Sequence, residues 1–276
     1  MHSLDKAILR LRDDPRYADL VRDAYLDRDV VAAARRFCQS AEFAAVLGLL
    51  KERVKNAVIL DLGAGAGIAS YAFAVHGARQ IYALEPDASD EVGRGAINRL
   101  CGPYPIEPID AFGEDIPLPE AVVDIVYARQ VLHHTRDLPQ VMLECARVLK
   151  PGGILLACRE HVVDNDVQLA QFLANHPIHQ LAGGENAYRL PQYLDAIQRA
   201  DLEVRQVFGP WDSLINAFPV VRTQEELEHF PQIMYRRKLG QLGDMISRLP
   251  GATTLAWMRI KRPRPGRMYT FLAVKP

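Results

Sequence analysis

The segment Val58-Ile59-Leu60-Asp61-Leu62-Gly63-Ala64-Gly65-Ala66-Gly67 runs from a near-continuously apolar stretch into three alternating glycines, and a helical pattern follows. A buried strand that ends in a glycine turn and restarts as a helix is the opening unit of an open α/β sheet. Ligands of such sheets bind in the crevice at the carboxyl ends of the strands. Glycine is required where the backbone takes positive φ, or comes too close to a ligand for a Cβ. Taken alone, the turn suits nucleotide-like ligands of several kinds, or a helix simply packed on a strand.

The same alternation continues downstream. Ala57–Leu62, Gln80–Leu84, Ile106–Ile109, Val122–Ala128 and Gly153–Cys158 are short apolar runs, as expected of parallel strands covered on both faces. Between them, Ile68–Val75, Ser89–Leu100 and Leu138–Leu149 carry helical periodicity, the last stopped by Lys150-Pro151-Gly152-Gly153. Leu190–Ala200 then reads as helix, and Leu202–Phe208 and Met268–Val274 as the last strands. The expected fold is α/β: a doubly wound, Rossmann-like sheet of seven mostly parallel strands with right-handed crossovers.

At 276 residues the chain exceeds one minimal domain, so the sheet must carry additions. Residues 1–50, including a helix over Ala32–Leu50, are expected to form a helical N-terminal cap. The Rossmann-like core is expected over residues 51–208 and 268–276. Residues 209–267 are an insertion too long for a normal connection, with helices near Gln224–Phe230 and Gln232–Leu249, expected to close over the crevice. The segment His161–Tyr188 is expected to fold over the same site as a loop.

Composition excludes little: 49% hydrophobic and 24% charged residues are ordinary for a globular protein. The start, Met1-His2-Ser3-Leu4-Asp5-Lys6, lacks the apolar core of a signal peptide, and no run approaches the ~18 apolar residues of a membrane span. The four cysteines (Cys38, Cys101, Cys145, Cys158) form no CxxC pair. A cytoplasmic, reduced protein is the expectation.

Glycine spacing separates the ligand classes. A dinucleotide fingerprint places its third glycine at position 68, whereas here it is Gly67, followed by Ile68. Asp61, two residues before the first glycine, is placed to take loop amides or to reach a ligand's ammonium group. Glu85, at the end of the second strand and 18 positions past Gly67, is placed to accept both hydroxyls of a ribose. That device serves any adenosine ligand.

With these elements in order, residues 56–160 resemble the class I S-adenosylmethionine (SAM)-dependent methyltransferases, the branch of the ubiquinone and menaquinone biosynthesis methyltransferases. Asp61–Gly67 resembles the first motif and Ala83–Asp87 the acidic second one. Gly113-Glu114-Asp115-Ile116-Pro117-Leu118-Pro119 with Val123-Asp124-Ile125-Val126, then Val131-Leu132-His133-His134 and Leu149–Gly153, complete the set. The resemblance implies that Gly63, Ala64, Gly65 and Gly67 line the methionine part of SAM, with Asp61 near its amino group. It implies that Glu85 holds the ribose and that Pro86 packs near the adenine. Arg129 and Gln130, ending the fourth strand, face the methionine side or the acceptor. One departure stands out: Phe112 and Gly113 occupy the place of an acidic residue and a small one, leaving Glu114, Asp115 or the Gly113 amide alone to meet the adenine edge.

The acceptor side offers His133 and His134 after strand four, and Glu160 and His161 at the end of strand five, as candidate bases. His176-Pro177-Ile178-His179 and Gly183-Gly184-Glu185-Asn186-Ala187-Tyr188 suit a loop over the acceptor. Histidines with Glu185 also have metal-ligand chemistry, but an HxxH on an irregular segment is no metal motif, and no metal is expected. From Gln232 to Arg267 nine basic residues face a single acid, Asp244, either as a solvated face or as attraction to an anionic or lipid-linked small-molecule acceptor or a membrane surface. Too few aromatics accompany them for a nucleic-acid platform. The implied activity is SAM-dependent methyl transfer to a small-molecule or glycan-like acceptor, to oxygen rather than nitrogen, leaving S-adenosylhomocysteine. The rival readings are a non-catalytic SAM-binding scaffold and an NAD-dependent oxidoreductase.

Overall fold

A computed structural model describes residues 3–276, so the first two residues of the expected N-terminal cap lie outside the described residues. The strands are β1 Val58–Leu62, β2 Gln80–Leu84, β3 Ile106–Ile109, β4 Val123–Arg129, β5 Leu149–Val163, β6 Tyr188–Arg189, β7 Glu203–Phe208 and β8 Arg267–Val274. Seven of them follow the order β3-β2-β1-β4-β5-β8-β7, a doubly wound and mostly parallel sheet as the alternation in sequence leads one to expect, and the two-residue β6 pairs beside β5. All pairs are parallel except those of β8, which runs antiparallel to both β5 and β7. The strand order reverses between β1 and β4, and the crevice opens there.

Period-two alternation divides the core into two layers. Ile59, Ile81, Ile125, Tyr127, Leu156 and Cys158 face Phe37, Phe43, Val46 and Phe73. Leu60, Leu62, Val126, Ala128 and Leu155 face Val141, Cys145, Tyr193 and Ile197 on the opposite side. The first layer is closed by helices Val30–Cys38, Ala41–Leu50 and Ile68–Val75; the second by Leu138–Val148 and Leu190–Arg199. Half of the expected cap is therefore a structural layer beneath the sheet.

Several boundaries move for local reasons. The expected helix Ala32–Leu50 is two helices, because Ser40 Oγ accepts the Phe43 amide at 3.0 Å and starts a second one. The expected helix Ser89–Leu100 begins only at Arg94; Ser89 N donates to Asp87 Oδ1, and a Cβ at Gly93 would lie 2.2 Å from the Asp87 carbonyl. Gly240, at φ 58°, divides the expected helix Gln232–Leu249. β5 is far longer than Gly153–Cys158, because pairing with β8 and β6 carries it to Val163. The expected loop His161–Tyr188 contains helices Asp166–Asn175 and Pro177–Ala182.

The insertion builds a small core of its own from Ala217, Val221, Leu227, Phe230, Ala256 and Ile260. Among the described residues no helix is long and apolar enough to cross a membrane.

Candidate active site

A cavity of about 890 Å³ runs along the carboxyl ends of β1, β2, β4 and β5. Asp61, Gly63, Ala64, Gly65, Glu85, Pro86, Gly113, Glu114, Arg129, Gln130, His133, His134 and His161 line it, all of them expected from the sequence. Two expected residues do not. Gly67 caps the helix Ile68–Val75 at φ 78°, where an added Cβ would press on Ile97 and Leu100. Glu160 is fully buried behind His133. Of the insertion, Pro219 alone among the described residues reaches the cavity; the covering walls are helix Ser3–Asp13, residues 19–26 and residues 176–185. The expected closure by residues 209–267 is therefore displaced to other segments. The insertion's core leaves its helices beside the sheet edge instead.

The glycine turn is set by sterics. Gly63 takes φ 62°, and a Cβ there would sit 2.1 Å from Val131 Cγ2. The Gly65 amide donates to Glu85 Oε2 at 2.7 Å, and the Asp87 amide donates to Oε1 at 2.9 Å. Glu85 therefore ties the glycine turn to the end of β2 while presenting its remaining lone pairs to the cavity. Burial pushes its pKa above the ordinary value. Asp61 receives no loop amide; its Oδ2 accepts the Ser70 hydroxyl at 2.6 Å, and burial pushes its pKa up to about 7.

In the loop after β3, Glu114 lines the cavity but spends one carboxylate oxygen on the backbone. Its Oε1 accepts the amides of Arg136 and Asp137 at 2.8 and 3.3 Å, pinning the turn before helix Leu138–Val148. The half-exposed Phe112 ring also lines the cavity, with the Arg136 guanidinium 5.0 Å from its centroid. Gly113 lets the backbone pass close to Leu62 and Val141, where a Cβ would lie 3.2 Å from each.

Below the crevice, Arg129 is claimed by a residue that no sequence spacing announces. Its Nε and Nη2 donate to Glu42 Oε1 and Oε2 at 2.6 and 3.1 Å, and Glu42 is wholly buried. Arg159 lies beside them, its Nε 3.8 Å from Glu42 Oε1, while Nη1 donates to the Ile215 and Phe218 carbonyls. Two guanidiniums therefore share one carboxylate at the cavity floor. Gln130 and Arg159 both hold left-handed backbone, at φ 55° and 61°. Such non-glycine conformations cost on the order of 1–3 kcal/mol and concentrate at functional sites.

The third part is a histidine cluster. Glu160 Oε2 meets His133 Nδ1 at 2.7 Å and accepts the His133 amide at 3.1 Å, while Oε1 accepts the Val131 amide. Burial would raise the Glu160 pKa, but His133 and those amides outweigh it and hold it below the usual carboxylate range. Glu160 thus positions His133 and is not itself a base facing the cavity. His161 Nδ1 lies 2.8 Å from the Gly266 carbonyl; burial, then the charge of His133, depress its pKa to about 3. It is a neutral wall residue and a weak base. His179, despite its place in the HxxH pair, does not line the cavity; its amide donates to His176 Nδ1 at 3.4 Å. His176 and Glu185 do line it.

Residues 60–157 match the family model described as a methyltransferase domain. Its span runs from β1 to β5 and takes in the glycine turn, Glu85 and the His133–His134 pair. Over that span the chain is similar to SAM-dependent methyltransferases.

Among the relatives of this chain, the dimethylglycine N-methyltransferase of Parasynechococcus marenigrum is 26% identical over 199 residues, which are 71% of this chain and 64% of that protein. A ubiquinone biosynthesis O-methyltransferase of Bradyrhizobium sp. is 32% identical over 133 residues, 45% of this chain and 46% of that one. The chain thus spans less than two thirds of the length of either. A solved geranyl diphosphate methyltransferase in complex with SAM shares the fold, with a TM-score of 0.57 at 17% identity, covering 91% of this chain and 92% of that one.

Proposed function

We propose that the protein binds SAM along β1 and β2 and transfers its methyl group to an acceptor held at the histidine end of the same cavity. The carrying observation is the Glu85 carboxylate, fixed by the Gly65 and Asp87 amides at 2.7 and 2.9 Å with its free lone pairs turned to the cavity. A ribose diol is the group such a carboxylate takes up. In this reading Gly63, Ala64 and Gly65 lie along the methionine chain, and Asp61 meets its ammonium group. The surplus positive charge of Arg129 and Arg159 over Glu42 favours its carboxylate. Phe112 and Pro86 flank the adenine, a stacking solution in place of an acidic contact.

Methyl transfer from a sulfonium is an in-line displacement that needs alignment and the exclusion of water. A hydroxyl acceptor must also lose a proton, and the histidine end is equipped for that. His133 is oriented by Glu160, so its Nε2 is turned toward the cavity. We therefore favour oxygen over nitrogen as the methylated atom, in a small-molecule or glycan-like acceptor. The basic insertion adds a second preference. Leu242 and Met245 on helix Gln241–Ser247 and Leu255 and Met258 on helix Ala252–Ile260 are exposed, and the preceding helix Phe230–Leu239 ends in Arg236, Arg237 and Lys238. An apolar face with basic flanks suits an anionic or lipid-linked acceptor presented at a membrane surface.

The test is S-adenosylhomocysteine formation with matched hydroxyl and amine acceptors, neutral and phosphorylated, alongside calorimetric titration with SAM and NAD. Turnover on hydroxyl acceptors with SAM binding supports the reading. Binding of SAM without turnover of any acceptor supports a non-catalytic scaffold, and binding of NAD in place of SAM overturns the cofactor.

A further inference from the structure

Glu185 sits almost fully buried among three imidazoles. Its Oε2 is 3.7 Å from both His133 Nε2 and His134 Nε2, and its Oε1 is 3.7 Å from His176 Nδ1. None of these separations is a hydrogen bond. The other ring nitrogens explain why. His133 Nδ1 points at the Glu160 carboxylate at 2.7 Å, and His134 Nδ1 at the Gly184 carbonyl at 3.1 Å. Both partners are acceptors, so each Nδ1 carries a proton, and the lone pair of each neutral ring lies on Nε2. In that tautomer two lone pairs face one carboxylate oxygen across 3.7 Å.

We propose that His133 Nε2, His134 Nε2 and the Glu185 carboxylate form a binding site for a divalent transition-metal cation such as Zn²⁺. The three donor atoms lie within 4.8 Å of one another. Bonds of ~2.1 Å at a tetrahedral angle would set nitrogen and oxygen ~3.4 Å apart, so each imidazole–carboxylate separation of 3.7 Å needs to contract by only a few tenths of an ångström. Imidazole and carboxylate are the ligand types of open catalytic sites that keep one position free. Glu160 behind His133, and the Gly184 carbonyl behind His134, are the outer partners that fix ring orientation in such sites. The expectation of no metal drawn from the sequence rested on the HxxH pair, which is not the pair that converges.

A bound metal would occupy His133 Nε2, so its free position, which faces the same cavity, would replace that nitrogen in activating an acceptor oxygen; that consequence rests on the methyl-transfer reading, whereas metal binding itself does not. The test is equilibrium dialysis of chelator-treated full-length protein against Zn²⁺, with Co²⁺ as a visible-absorption probe. One equivalent is expected to bind. His134→Ala and Glu185→Gln should weaken binding at least ~10-fold, and Glu160→Gln ~10- to 100-fold through loss of the outer partner. His134 is partly exposed, so its variant retains the fold, which circular dichroism checks. No stoichiometric metal in the parent, or equal binding in both ligand variants, overturns the site. SAM affinity is measured on the same samples: it should be unchanged by the variants, and its absence would overturn the methyl-transfer reading while the metal titration still stands or falls alone.

Discussion

The Arg129 guanidinium makes a two-point contact with Glu42, 2.6 Å from Nε to Oε1 and 3.1 Å from Nη2 to Oε2, and Arg159 shares the same carboxylate. Glu42 has no access to solvent. Removing it strands two buried cations, a loss on the order of 3–5 kcal/mol. Glu42→Ala should lower the urea midpoint accordingly, and a change below ~1 kcal/mol would show that the pair is not sealed from water. Burial raises the Glu42 pKa, but the two guanidiniums outweigh it and the net shift is downward. Its contribution is thus complete above the ordinary carboxylate pKa and disappears as acid drives the pH below it.

Asp61 gives the opposite sign. Its pKa in the folded protein is about 7, raised by burial from 3.8. The folded state keeps a proton that the unfolded chain loses, so this group's effect on stability is lost as pH rises from about 4 to 7. A ligand ammonium needs the ionised form. SAM should therefore bind up to ~10-fold tighter at pH 8 than at pH 6, with a proton released on binding, and Asp61→Asn should flatten that dependence. A pH-independent affinity in the parent protein would remove Asp61 from the ammonium site.

Gly63 and Gly65 share left-handed backbone but differ in their surroundings. A Cβ at Gly63 meets Val131 Cγ2 at 2.1 Å, whereas at Gly65 the nearest atom is the Val92 carbonyl oxygen at 3.8 Å. Gly63→Ala should cost roughly 1–3 kcal/mol more than Gly65→Ala in thermal unfolding, since it adds a clash to the same φ strain. Equal losses would mean that φ alone sets the cost.

Glu85→Gln keeps the size of the side chain but turns an amide NH₂ toward one of the two backbone N–H donors. Loss of charge-assisted bonds of this type costs on the order of 1.5–3 kcal/mol, so SAM affinity should fall ~10- to 100-fold. Unfolding measured in parallel separates this from damage to the turn. An unaltered SAM affinity would place the ribose elsewhere.

What could be read in advance was local. The turn Asp61–Gly67, Glu85 at the end of β2 and the alternation of strands with helices follow from neighbours in sequence, because strand periodicity and glycine φ are set within a few residues. Ser89–Gly93 misled for the same reason: its residues carry helical periodicity, but an Asp87–Ser89 hydrogen bond holds them in a turn. Glu42, Arg159 and the convergence of His133 and His134 on Glu185 were not legible. Each joins segments tens of residues apart, and nothing in their spacing records the meeting. His161 read as a base from its place near a strand end, yet burial, invisible in one sequence, makes it a neutral wall. The insertion read as a lid from its length, while its apolar residues were already committed to a core of their own.

The Glu42–Arg129 contact also bears on modularity. The methyltransferase match begins at residue 60, yet the counter-charge for its own arginine comes from helix Ala41–Leu50. A fragment cut at the boundaries of the match would have to carry an uncompensated cation in its interior and an unroofed sheet face. The unit that sequence similarity delimits is thus smaller than the unit that can fold, and any grafting of this site onto another scaffold must bring the upstream helix with it.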